Sequence, residues 1–198
     1  MSPKQIPAIG MAIPRTIEAF ESLLQTLNPP QKLLNHIALV NEAAQLLVAK
    51  YLELGLLVDQ TFIHLGVMIH DIGKVQYPQE LLAPGQSHET NSERLMLSLG
   101  VDPALARCCV SHAQWRRWDC SLEELTVALA DKLWRGKRVP ELEQVVINEI
   151  SKQLCKQSDQ QPNWDQWHLF VEMDSAFEAI ADGGNDRLNR SQHLCYQI

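Results

Sequence analysis

The chain has 198 residues, with 17 Lys and Arg against 24 Asp and Glu and a formal net charge of −7. That length buries enough surface for one domain without disulfide staples, and the acidic balance disfavours a nucleic-acid polymer or an anionic membrane surface as partner. A small anion in a local basic pocket remains compatible with it. The five cysteines are odd in number and irregular in spacing, which points to reduced thiols and a cytoplasmic setting.

Residues 1–15 read as an extended segment. Pro3, Pro7 and Pro14 break its apolar runs, so no signal-peptide core forms, and no run in the chain approaches the roughly 20 apolar residues of a membrane span. From Thr16 onward the caps and spacing read as helix almost throughout, an all-α chain without strand-like alternation. Thr16 caps a helix to about Leu27, and "NPP" at 28–30 ends it and opens the next. In that second helix His36, Val40, Ala43 and Leu47 share one apolar stripe. A third helix, roughly 59–71, is apolar nearly all round, which predicts a central position, and it stops at "DIGK" with Gly73 in the left-handed conformation. Ser87 caps a helix from His88 to about Leu99. Asp102 and Pro103 open one that ends near His112, and "SLEE" at 121–124 is a capping box for one through Trp134. Two more helices cover about 140–157 and 164–181. The tail 183–198 has no clear period and is expected to be loosely attached.

His36, His70, Asp71 and Asp131 each sit within or at the end of an apolar helical stretch. A single buried histidine usually finds an ordinary hydrogen-bond partner, but imidazoles and carboxylates from separate helices are also what a divalent transition metal accepts in the core of a bundle.

His36, "HDIGK" at 70–74 and "ALADKL" at 128–133 resemble the H…HD…D signature of the HD superfamily of metal-dependent phosphohydrolases, over about 31–140. The resemblance implies a helical bundle with a metal in its core, held by His36, His70, Asp71 and Asp131. His88 and His112 fall in the order of the two-metal subgroups, which implies two ions (Fe, Mn or similar) with Asp71 as bridge and His88 and His112 serving the second. Read from the sequence alone, His88 is equally an exposed first-turn residue and His112 a helix-end residue complementing the dipole. Order and length look most like the bacterial diadenosine tetraphosphate hydrolases, although "SHAQWRRW" at 111–118 lacks the Thr–Gly that follows the histidine there.

The resemblance therefore implies a single HD-type domain over 16–182 that hydrolyses a phosphoester or phosphoanhydride bond of a nucleotide or other small phosphorylated molecule. Asp71 and Lys74 are its expected catalytic residues, and Lys74, Arg135 and Arg138 its phosphate-binding ones. A di-iron oxygenase of the same ligand set, and a regulatory or binding module without catalysis, remain alternatives. His64 reads as a hydrogen-bonded core residue, and Cys109 with His112 forms a C-x-x-H pair that lacks the second pair a structural zinc site would use.

Overall fold

The structure is a computed structural model that describes residues 16–83, 85–157 and 165–194, with backbone alone for 191–194. The expectations for 1–15, for Cys195 and for the rest of 195–198 lie outside the described residues. The chain forms α1 (Ile17–Leu27), α2 (Gln31–Glu53), α3 (Gln60–Ile69), α4 (Ser87–Ser98), α5 (Pro103–Ala106) and α6 (Cys108–Gln114). Then come α7 (Leu122–Leu133), α8 (Pro140–Gln157), α9 (Gln166–Asp182) and α10 (Gly184–Leu194). Among the described residues there is no strand, so the fold is all-α, and no helix is long and apolar enough to cross a membrane.

The helices begin where short polar side chains satisfy otherwise unpaired backbone N–H groups. Thr16 accepts from Ala19 N, Asp59 from Phe62 N and Asp102 from Ala104 N. Ser121 and Glu124 form the reciprocal capping box. The core is built around α7, whose Leu122, Val127, Ala128, Leu129, Ala130 and Leu133 are fully buried. Helices α2, α3, α6, α8 and α9 all pack against it, so α3 shares the centre with α7 rather than holding it alone.

Three expectations are corrected. Gly73 is not left-handed: it lies in the 3-10 turn Ile72–Val75, and the left-handed glycines among the described residues are Gly55, Gly100 and Gly136. What requires glycine at 73 is proximity, since a Cβ there would fall 2.2 Å from Ser92 Oγ and 2.5 Å from the His88 carbonyl oxygen. Helix α4 is thereby drawn against the turn that carries His70 and Asp71, and Gly73 N–H donates to Ser92 Oγ over 2.7 Å. Ser87 is the first residue of α4 rather than its cap, and the cap comes from outside the helix. The Glu80 carboxylate accepts from Ser87 N and His88 N at 3.2 and 3.3 Å.

The third correction concerns the tail. Residues 184–194 form a helix that docks, so the domain runs past 182. Its anchor is polar and leaves no apolar period to read. Buried Arg187 donates to Ile180 O over 2.7 Å, and Arg190 forks onto Glu42 of α2 at 2.9 and 2.7 Å.

Gly73→Ala forces Ser92 and the start of α4 away from the turn, which is an overpacking defect. The expected loss is about 1–3 kcal/mol of unfolding free energy in a denaturant titration, where a surface substitution shifts the midpoint far less.

Candidate metal centre

Five elements bring six side chains to one point: His36 from α2, His70 and Asp71 from the end of α3, His88 from α4, His112 from α6 and Asp131 from α7. All six residues that the sequence singled out as ligands meet here. Their donor atoms fall into two groups joined by Asp71. In the first, His36 Nε2 lies 3.1 Å from His70 Nε2 and 3.0 Å from Asp71 Oδ2. Asp131 Oδ1 is 3.5 Å from His36 Nε2 and 3.7 Å from His70 Nε2. In the second, Asp71 Oδ1 lies 3.0 Å from His88 Nε2 and 3.7 Å from His112 Nε2. Donors bonded at about 2.1 Å to a common metal stand about 3.0 Å apart at right angles and about 3.4 Å apart at the tetrahedral angle. The observed separations have that size, and His36, His70 and Asp71, or Asp71, His88 and His112, could hold a metal ion.

The imidazoles are oriented from behind. His70 Nδ1–H donates to Val67 O over 2.7 Å, and His112 Nδ1–H donates to Cys108 O over 2.9 Å. His88 Nδ1–H donates to Glu80 Oε2 over 2.5 Å. Because a carbonyl or carboxylate only accepts, each contact puts a proton on Nδ1 and turns Nε2 towards the centre, as metal-bound histidines are arranged. His88 Nε2 is the clearest sign. It is buried and makes no hydrogen bond of acceptable geometry despite facing Asp71 Oδ1, so in the neutral ring two acceptors confront each other. A cation between them removes that conflict.

The electrostatics agree with ionised carboxylates. Burial works against charge on Asp71, but His70, His36 and His88 outweigh it and hold the carboxyl well below the usual range. Burial likewise opposes charge on Asp131, which His70 and the adjacent Lys132 overcome, so its pKa is also lowered. Burial, together with the charge on His70, pushes His112 down to about 3, leaving a neutral imidazole suited to ligation. Among the described residues Cys109 joins no group that could hold a metal ion, and its Sγ donates to Ile69 O.

The centre forms the floor of a cavity of about 610 Å³, a size typical of small-molecule sites. Lys74 and Arg135 line it, and Lys74 Nζ pairs with Asp71 Oδ2. Arg138 does not line it. Its guanidinium forks onto Glu143 at 2.8 and 2.9 Å and pairs with Asp174 of α9 at 2.5 Å, a structural clamp between α8 and α9. His64 is likewise structural, with Nδ1–H donating to Asn41 Oδ1 over 2.9 Å. Lys32, Glu80, Glu89 and Trp134 also line the cavity and were not singled out from the sequence. Lys32 was within reach of a sequence argument, one helical turn before His36 on the same face. Glu80 lies in the 3-10 turn Pro78–Leu81 and has no periodicity to mark it.

Ligation is expected to compete with protons. Burial disfavours charge on His70 and His88, yet Asp71 and Asp131 beside the first, and Asp71 and Glu80 beside the second, raise both above the ordinary imidazole value. An incoming metal displaces those protons, so apparent affinity for Mn(II) should fall as pH drops through the raised values and level off above them. Calorimetric titrations over a pH series test this, and a pH-independent affinity would refute it. No protein-family model matches the chain, and neither a curated protein nor a solved structure matches it.

Proposed function

We propose that the chain is a metal-dependent phosphohydrolase of the HD type, cleaving a phosphoester or phosphoanhydride bond of a nucleotide or other small phosphorylated molecule. The observation that carries this reading is the double-faced Asp71, with Oδ2 towards His36 and His70 and Oδ1 towards His88 and His112. A pair of divalent ions such as Fe or Mn, when bound, supplies hydroxide at neutral pH and neutralises charge on the phosphate. The residues do the remaining work. His70 and His112, fixed by backbone carbonyls, keep their Nε2 atoms on the centre without rearrangement. Lys74 exchanges its contact with Asp71 for a non-bridging phosphate oxygen, while Lys32 and Arg135 draw the anion to the cavity wall. Trp134, edge-on to His36 with ring centroids 5.1 Å apart, closes one side against water.

These three cavity cations suit an anionic, phosphate-bearing substrate, and oxygen consumption separates hydrolysis from the oxygenase alternative. Protein purified without chelators should contain metal and release phosphate from some member of a nucleotide and phosphomonoester panel without consuming oxygen. His70→Ala and Asp71→Ala should abolish both properties, and retention of full activity by either refutes the site. Lys74→Ala should lower kcat/KM about 10- to 100-fold, the weight of a charge-assisted hydrogen bond. Arg138→Ala should lower stability and leave KM unchanged.

A further inference from the structure

Glu80 is not one of the six candidate ligands, yet its carboxylate accepts three hydrogen bonds beside the centre. It takes the Ser87 and His88 backbone N–H groups and the His88 Nδ1–H, and its side chain is only 7% exposed. The three imidazoles of the centre with described Nδ1 contacts therefore differ in kind. His70 and His112 lean on main-chain carbonyls within their own helical segments, whereas His88 leans on a side chain from a separate turn. Space is kept for that arm. A Cβ at Gly85 would fall 2.4 Å from Glu80 Cδ and 2.6 Å from its Oε1.

We propose that Glu80 is the positioning residue of the second half of the centre, holding His88 in the Nδ1–H form so that Asp71 Oδ1, His88 and His112 bind a second divalent ion. The inference rests on the dinuclear reading of the site. It makes the two halves unequal. The His36, His70 and Asp131 half does not touch Glu80, while the other half depends on a carboxylate whose removal loosens the imidazole. In Glu80→Gln one carboxylate oxygen becomes an NH2 donor. At the Oε2 position that NH2 opposes both His88 N–H and the Nδ1–H form of the ring, and at the Oε1 position it opposes Ser87 N–H, so either orientation loosens the hold on His88. Gly85→Ala displaces the same arm while leaving its charge intact.

The test is a Mn(II) titration of dialysed wild type, Glu80→Gln and Gly85→Ala, followed by calorimetry and by the electron paramagnetic resonance of the exchange-coupled ion pair. Wild type is expected to take two ions. Both variants should keep the first at wild-type affinity, bind the second about 10- to 100-fold more weakly and lose the coupled signal at matched metal concentration. The metal-free thermal midpoint of Glu80→Gln should fall only by the weight of one cap hydrogen bond. Two ions bound to Glu80→Gln as tightly as to wild type overturn the role of Glu80 alone. Equal weakening of both ions with a larger fall in midpoint also overturns it, since Glu80 is then only a helix cap. A wild type that takes fewer than two ions overturns the dinuclear reading and this inference together.

Discussion

A buried carboxylate with two differently directed oxygens is the constraint on which the molecule is organised. Asp71 is 2% exposed, and an ionised group so far from water is costly unless it is paired on every side. The fold meets that demand at Oδ2 with His36 of α2 and Lys74 of the turn after α3, and brings His88 of α4 against Oδ1, where a cation completes the pairing. The close approach of α4 to that turn is possible only because residue 73 lacks a side chain. One missing Cβ thus controls the distance between the two halves of the centre.

The surrounding charges are graded outward. Lys132 covers Asp131 Oδ2 at 2.7 Å and leaves Oδ1 to the histidines, whereas Lys74 shares Asp71 Oδ2 with His36, so each carboxylate has an ammonium group beside it. Arg138, Glu143 and Asp174 form a separate network that clamps the base of α8, and Arg107 forks onto buried Glu124 at the start of α7. These outer clusters hold the helices that position the donors without contributing donors themselves. Similar charged residues near the end of α7 therefore have opposite uses: Arg135 on the cavity, Arg138 in the scaffold.

Much of the architecture was legible in the sequence because it rests on local chemistry. Thr16, Asp59, Asp102 and the Ser121–Glu124 box are caps whose signals lie within four residues of the helices they start. His36, His70, Asp71 and Asp131 were legible because polar residues on apolar stripes stand out, while His88 and His112 were reached only through the order that the HD resemblance implies. What escaped was long-range or polar. The dependence of α4 on Glu80 joins residues from different elements, and α10 docks through Arg187 and Arg190 with Leu188 as its packed apolar residue. The glycine at 73 was noticed for the wrong reason, since a close approach and a left-handed turn call for the same residue.

The ligands come from α2, the turn after α3, α4, α6 and α7, so no short stretch of the unfolded chain carries a complete set. An ion held there binds the folded form and gains almost nothing from the unfolded one, and each bound ion shifts the folding equilibrium by mass action. If the centre is loaded with metal, the lifetime of the protein against proteolysis would track the supply of that metal, and scarcity would remove the folded chain itself.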